Sequence, residues 1–298
     1  MTEAHTQIPT DAVIVGLDGS ERDATCLAWA AGAATRARKP LHLIHARETA
    51  AELGASDPAA VRGVAAAILY ADDSVLEDAI ASATEQWPDL TTTGSEPWGN
   101  PERVLVEASE GAHLVVVGSR RLSGLQRLLL GRSALAVAMH AKCPVVLLPD
   151  GARTDAEGPV VVGVDGSEHA QRAADRAFWI AGVRGTSVRV VICWYLEVVD
   201  GSVVTTPENP AWAQVEDKYR TIAENLLKPV RERYPDVPYE IAVRRGDAPQ
   251  ILTEESSAAS LLVMGSRGRG GFRGMLLGSV THKVIETAAC PVMVIRQA

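Results

Sequence analysis

The sequence predicts an α/β fold of two tandem doubly wound domains, each a sheet of five parallel strands in the order 3-2-1-4-5. Three observations carry that expectation. The first is a repeat. Val13-Ile14-Val15-Gly16-Leu17-Asp18-Gly19-Ser20 has a near copy in Val160-Val161-Val162-Gly163-Val164-Asp165-Gly166-Ser167, an offset of 160 − 13 = 147. The same offset relates Gly99-Asn100-Pro101 to Gly246-Asp247-Ala248, Val115-Val116-Val117-Gly118-Ser119-Arg120 to Leu262-Val263-Met264-Gly265-Ser266-Arg267, and Cys143-Pro144-Val145 to Cys290-Pro291-Val292. Two copies of that size are a duplicated globular unit, since solenoid repeats are far shorter. The second observation is that short β-branched runs alternate with longer Ala-rich amphipathic stretches, the pattern of a parallel sheet covered by helices. The third is length: 298 residues is two domains at about 150 residues each.

Taken in order, the second copy reads as strand 160–165, helix 168–183, strand 188–193, helix 211–234, strand 238–244, helix 248–258, strand 261–265, helix 279–289 and strand 292–296. The first copy follows at minus 147, with strands near 13–18, 41–46, 91–96, 114–118 and 145–148. The polar join from Asp150 to Pro159 separates a domain of residues 1–150 from one of residues 151–298. One local slip interrupts the register. Trp29 lies 29 − 18 = 11 after Asp18, whereas Trp179 lies 179 − 165 = 14 after Asp165, so the first helices pair imperfectly. Both tryptophans read as core aromatics, while Trp98 and Trp212 read as covers for apolar surface at loops. Tyr195 to Pro210 reads as a long irregular loop after the second strand, with Glu48 to Pro58 as its counterpart.

Composition narrows the function classes. A chain with 47% hydrophobic, 4% aromatic and 22% charged residues is compact rather than disordered. Its net charge of −8 gives no support for general nucleic-acid or anionic-membrane binding. Met1 to Thr10 lacks the basic start and apolar segment of a secretory signal, and no apolar run approaches the roughly 18 residues of a span, so a cytoplasmic location is expected. Cys26, Cys143, Cys193 and Cys290 form no Cys-x-x-Cys pair and read as reduced, packed thiols. His42, His45, His140 and His282 show no metal spacing and read as packing or surface residues, so no metal site is expected from side chains.

The stretch from Val263 to Val280 is where chemistry concentrates. The apolar run Leu261-Leu262-Val263-Met264 stops at Gly265, and the following glycines are interleaved with Arg267, Arg269 and Arg273 and with no acid. Glycines admit positive φ and bring bare N–H groups close to an anion. Ser279, after Gly278, reads as the cap of the next helix, whose positive end would face that anion. The stretch is neither a P-loop nor a dinucleotide fingerprint, because it has no Gly-Lys-Ser/Thr and carries Arg273 where the fingerprint needs glycine. The plain alternative is a mobile, solvated loop. A second element sits at the same sheet end: Asp18 and Asp165 each close the first strand of a copy. Either caps a helix, or lies in the crevice where such sheets bind ligands. In the order 3-2-1-4-5, strands one and four flank the switch point, so Asp165 and Gly265 border a single cleft.

These residues resemble the universal stress protein family in its tandem, Rossmann-like form. The family's ATP signature is Gly-x-x-Gly, nine residues, then Gly-Ser/Thr. Gly265-Ser266-Arg267-Gly268, nine residues from Arg269 to Leu277, and Gly278-Ser279 match it, and the resemblance extends through Val-Gly-Val-Asp-Gly-Ser and Ala-Cys-Pro-Val over nearly the whole chain. The resemblance implies that Gly265, Gly268, Gly278 and Ser279 hold the phosphates of ATP, with Mg²⁺ on those phosphates, and that Arg267 and Val280 also belong to the nucleotide site. It implies that Asp165 faces the ribose, and that Val164 and Cys193 offer main-chain groups to adenine. In the first copy the corresponding positions are Leu17, Asp18, Ala46, Gly118, Gly131 and Ser133. That copy departs from the signature twice, at Arg121 where glycine belongs and at Arg132 where a hydroxyl belongs. The first site is therefore expected to be the weaker, although an arginine fork can also grip phosphate.

Three classes of function compete: a nucleotide-binding stress regulator in which ATP is a bound switch, an ATPase or nucleotidyl transferase of similar adenine-binding fold, and a structural dimerisation module. No lysine or acidic pair flanks the glycine stretch, so any hydrolysis is expected to be slow. The last strands, Val145 to Leu148 and Val292 to Ile295, are apolar and expected at a sheet edge. The resemblance implies that the domains meet through these edges and that the chain forms a homodimer. The protein partner, the stress and the pathway are not encoded in any motif.

Overall fold

A computed structural model describes residues 7–48, 74–119, 131–154, 157–195, 198–199, 202–203, 211–270 and 276–296. The described residues form two compact units that divide between Asp150 and Gly151. The first unit holds β1 (Val13–Leu17), α1 (Arg22–Ala37), β2 (Leu41–His45), α2 (Ser74–Gln86), β3 (Thr92–Ser95), α3 (Pro101–Ala108), β4 (Leu114–Ser119), α4 (Arg132–His140) and β5 (Val145–Pro149). The second holds β6 (Val160–Val164), α5 (Glu168–Arg184), β7 (Val188–Trp194), the short strands β8 (Val198–Val199) and β9 (Ser202–Val203), α6 (Ala211–Arg233), β10 (Tyr239–Arg245), α7 (Ala248–Ser256), β11 (Leu261–Gly265), α8 (Ser279–Thr287) and β12 (Val292–Ile295).

Within the first unit every pairing is parallel, and the order is β3-β2-β1-β4-β5. The second unit repeats it as β10-β7-β6-β11-β12. Both orders are 3-2-1-4-5. The central strands are buried on both faces, as β-branched runs such as Val160-Val161-Val162 require, because helices cover both sides of a parallel sheet. One pairing was not legible in the sequence: β8 and β9 form an antiparallel pair inside the segment read as irregular loop. The rest of that loop apart from Tyr195, and Glu48 to Pro58 apart from Glu48, lie outside the described residues.

Local chemistry sets the helix ends. Ser167 Oγ accepts from Ala170 N at 3.2 Å and starts α5, and Asn100 Oδ1 accepts from Glu102 N at 2.9 Å ahead of Pro101, where a missing N–H costs nothing. Gly185 closes α5 at φ 65°, the left-handed conformation that glycine adopts freely. At the matching position Arg38 closes α1 at φ 54°, with a side chain that makes the same turn costlier. In the second unit the helix under the cleft is held by charge. Glu255 accepts from Arg189 Nε at 2.6 Å and Nη2 at 3.2 Å, and also pairs with Arg244. The Glu255 bond in particular holds the Arg189 guanidinium above its ordinary pKa, so a buried carboxylate on α7 is satisfied from β7 and β10.

Two tryptophan readings are resolved by position. Trp29 is buried, but Trp179 is only half-buried and carries the Arg176 guanidinium 5.2 Å above its ring. Phe178 is the fully buried aromatic of α5, so the core position is taken by its neighbour in sequence. Trp212 is buried against Trp194, with ring centroids 4.9 Å apart, and Trp98 is 47% exposed.

His42 on β2 is fully buried between Thr93 Oγ1, 2.8 Å from Nδ1, and Ser95 Oγ, 2.9 Å from Nε2. Burial pushes its pKa down from 6.5 to about 4, so the folded state holds a neutral ring. The unfolded histidine takes up a proton that the folded one declines, so this contribution is whole above pH 6.5 and is lost as pH falls through the folded value of about 4. Acid unfolding should show a loss of up to about 3 kcal/mol over that window, and His42→Gln should remove that part of the slope. An unchanged slope in denaturant titrations of the Gln variant would assign the loss to other groups.

Candidate functional site

The cleft of the second unit is built around Asp165, the residue that follows β6. Its Oδ1 accepts from Ser167 N at 2.9 Å, which fixes the start of α5. Its Oδ2 accepts from Arg269 N at 2.7 Å, which draws the glycine-rich loop after β11 across the strand end. Gly268 lies so close beneath this carboxylate that a Cβ there would run into Asp165 Oδ2. Gly265 is equally constrained, because a Cβ would lie 2.9 Å from His169 Cβ and 3.0 Å from the His169 main chain. Both glycines of the Gly-x-x-Gly run are thus required by close approach of the chain to itself.

The other end of the loop is tied down by main-chain and hydroxyl bonds. Gly278 N donates to Ser266 O at 2.7 Å, Ser266 N donates to Ile295 O at 2.9 Å, and Thr281 Oγ1 donates to Gly265 O at 2.9 Å. These bonds aim the start of α8 into the cleft. The cap itself differs from the sequence expectation: Gly278 is the N-cap, at φ −71° and ψ 150°, and Ser279 is the first residue of the helix. No side chain caps this end, so the first N–H groups of α8 face the cleft with the positive end of the helix dipole. In the first unit Gly131 is likewise the N-cap of α4, with no side-chain bond. A hydroxyl at position 132 or 279 is therefore a first-turn group in both copies rather than a cap.

The cleft has a volume of about 500 Å³ and is open to solvent on one side. Val164, Asp165, Cys193, Gly265, Arg267, Gly268, Gly278, Ser279 and Val280 all line it. Sequence reasoning missed the floor and part of the rim: Gly163, Ala170, Leu252, Met264, Arg269 and Thr281 also line the cavity. Gly163 could have been noticed, since glycine recurs at the same place in the first copy as Gly16, and in the structure a Cβ there would press on Leu252 at 3.2 Å. Burial pushes the Cys193 thiol up to about 12, so it is a protonated wall group and no nucleophile. His169 is pushed below its ordinary value by burial and then by the Arg267 and Arg172 charges, and its Nε2 is buried without a hydrogen-bond partner. Among the described residues no group of three or more His, Cys, Asp and Glu is placed to hold a metal ion.

The first unit has a cleft of about 420 Å³ at the same sheet end, lined by Leu17, Asp18, Ala46, Gly118, Gly131 and Ser133. Arg121 lies outside the described residues. A difference that the sequence reading did not weigh is Asp23. Its Oδ2 accepts from Gly19 N at 2.8 Å and from Asp18 N at 3.1 Å. Burial raises its pKa, against the pull of those two N–H donors. Asp18 Oδ1 accepts from Ser20 N at 3.1 Å, as Asp165 Oδ1 does from Ser167 N, while its Oδ2 meets Arg22 at 3.4 Å. With that turn bound by Asp23, Ser20 Oγ is buried without a partner, and α1 starts at Arg22 after Glu21, which makes no capping bond. The two helices otherwise keep the 147-residue register through to their caps at Arg38 and Gly185, so Trp29 and Trp179 occupy different positions along the helix rather than marking a shift of it.

Fold and clefts together define a class: a duplicated doubly wound α/β protein with one candidate ligand cleft per copy, at the switch point between strands one and four. The model of the Universal stress protein family matches residues 9–149 and again residues 158–296. The chain belongs to that family. It is 34% identical over 293 residues to a universal stress protein of Mycolicibacterium smegmatis, covering 95% of this chain and 96% of that one. It is 32% identical over 294 residues to Universal stress protein Rv2005c of Mycobacterium tuberculosis, covering 96% and 97%. Its fold is similar to the crystal structure of a universal stress protein from Archaeoglobus fulgidus, with a TM-score of 0.64, 20% identity and 96% of each chain covered.

The double role of Asp165 has a direct readout. Asp165→Ala should release the Arg269 amide and raise its hydrogen-exchange rate by about tenfold, the effect of losing one bond to a charged acceptor at a partly exposed position. The Leu262 and Val263 amides inside β11 should keep their protection. Unchanged exchange at Arg269 would mean that the loop holds its place without the carboxylate.

Proposed function

We propose that the cleft of the second unit binds ATP and that the protein is a nucleotide-responsive regulator in which ATP serves as a bound switch with little or no turnover. The observation that carries this reading is the closed loop: the Gly265-x-x-Gly268 turn pinned to Asp165 and the uncapped start of α8 at Gly278-Ser279 face one cavity. Bare N–H groups at a helix start, with Arg267 and Arg269 on the rim, suit a polyphosphate. The ends of β6 and β7 at Val164 and Cys193 offer main-chain groups to an adenine ring over the apolar floor. Asp165 uses one position on each oxygen internally and retains acceptor capacity for a ribose hydroxyl.

The residues fit Mg²⁺ only as a companion of the nucleotide. With no side-chain cluster for a metal among the described residues, the ion would be carried by the phosphates and would offset their charge. Phosphoryl transfer would need a positioned base or metal-holding acids, and among the described residues the lining of this cleft offers Asp165 alone, already committed to the loop. A cytoplasmic setting, where ATP is abundant, belongs to the same reading.

Isothermal titration decides the site. Wild type should bind ATP in the second cleft, and Gly268→Arg with Ser279→Arg should abolish that binding while circular dichroism stays unchanged. The two substitutions act at the same phosphates, so their effects should not add. The reciprocal change, Arg121→Gly with Arg132→Ser, should strengthen ATP binding in the first cleft. Unchanged stoichiometry and affinity in the Gly268/Ser279 variant would remove the site.

The same reading carries an assembly: we propose that the chain forms a homodimer. Light scattering at micromolar concentration should give twice the 31.6 kDa chain mass. Monomer mass throughout the range would discard the dimer and leave the nucleotide site standing.

A further inference from the structure

The first cleft repeats the frame of the second and adds a negative charge at one corner. The linings correspond at the 147-residue offset: Leu17 with Val164, Ala46 with Cys193, Gly118 with Gly265, and Gly131 with Gly278. At one shared position, 170 − 23 = 147, the methyl of Ala170 in the second cleft is replaced by the carboxylate of Asp23 in the first. That carboxylate already holds the N–H groups of Asp18 and Gly19 at the end of β1, where it acts as an internal anion. Among the described residues Asp18 and Glu48 add two further acids to the lining, against Arg22 and His45, whereas the second cleft sets Arg267 and Arg269 against Asp165; Arg120, which corresponds to Arg267, lies outside the described residues.

We propose that the cleft of the first unit is a site for an uncharged purine nucleoside and that Asp23 is the residue that excludes the polyphosphate form. The nucleoside assignment rests on the reading of the second cleft as an adenine-nucleotide site, since it transfers the same frame at the same offset. The exclusion rests on Asp23 itself. A phosphate entering this corner meets a half-buried carboxylate that already occupies two of the nearest main-chain donors, so it finds repulsion where the second cleft offers a methyl. Ribose hydroxyls fare differently. They donate hydrogen bonds, and Asp18 and Asp23 are charged acceptors at the end of β1. Leu17 O is met by His45 Nδ1 at 3.2 Å and keeps a second lone pair for a base edge.

The test uses the full chain with Gly268→Arg and Ser279→Arg, so that only the first cleft is read. Adenosine and ATP are titrated into this parent, into its Asp23→Ala derivative and into its Asp23→Asn derivative, which keeps an acceptor oxygen for Gly19 N should the alanine form fail to fold. The parent should bind one adenosine and bind ATP at least about tenfold more weakly, and loss of the charge at position 23 should bring ATP close to adenosine. ATP binding as tight as adenosine binding in the parent would overturn the proposal. So would continued exclusion of ATP after both substitutions, or the absence of adenosine binding in all three chains. Failure of the second-cleft reading is seen separately, as a wild-type chain whose ATP binding the parent substitutions do not reduce.

Discussion

The Asp165 carboxylate joins two stretches of chain 104 residues apart, and the geometry of the second cleft depends on it. Oδ1 and Oδ2 accept one main-chain N–H each, from the start of α5 and from the loop after β11. Bonds from N–H to a charged acceptor contribute about 1.5–3 kcal/mol each when buried and less in a partly open site such as this. Direction matters more here than the total. The carboxylate ties Arg269, at the start of the glycine-rich loop, to a strand end fixed by the sheet. The same contact explains the absence of a side chain at Gly268, since any Cβ there would strike Asp165 Oδ2.

The first unit shows how little is needed to change such a corner. Asp18 stands where Asp165 stands, and the sheet behind it has the same order and register type. One turn later, Asp23 replaces Ala170 and takes the N–H groups of Asp18 and Gly19. The start of α1 moves one residue along relative to α5, and a serine hydroxyl loses its capping bond. A carboxylate that is half-buried keeps its charge only if donors meet it, and main-chain N–H groups at a helix start are the nearest donors. The departure from the nucleotide pattern in this copy therefore lies in the strand-to-helix turn as well as in the arginines of its glycine-poor loop.

Readings that failed did so where neighbours in space outweigh neighbours in sequence. Ser279 resembles an N-cap because Ser commonly fills that role, but Gly278 takes the extended cap conformation, and its N–H is held by Ser266 O. Trp179 resembles a core residue by type, yet α5 presents Phe178 to the sheet and leaves Trp179 beneath Arg176. The β8–β9 pair arises from two-residue strands, too short to leave a period-two signal. Asp23 is visible in the sequence, and so is its counterpart Ala170. What concealed the pair was the mismatched tryptophan spacing, which made the first helices look out of register although their C-terminal caps match at the 147-residue offset.

Strand and helix boundaries, the duplication and the parallel order were legible in the chain alone, because they follow from periodicity, from β-branched runs buried on both faces and from a repeat at a constant offset. The glycines and Arg267 could be named as candidates from the resemblance to a family signature, and the aspartates from the repeated strand end. Tertiary structure alone decided which atoms those groups serve: Asp165 holding Arg269 N, Gly268 lying under a carboxylate, Glu255 satisfied by Arg189 and Arg244, and Asp23 filling a turn that Ala170 leaves open. Hydrogen-bond partnership is a matter of distance and direction between groups far apart in sequence, and only the packed sheet brings those groups within reach of one another.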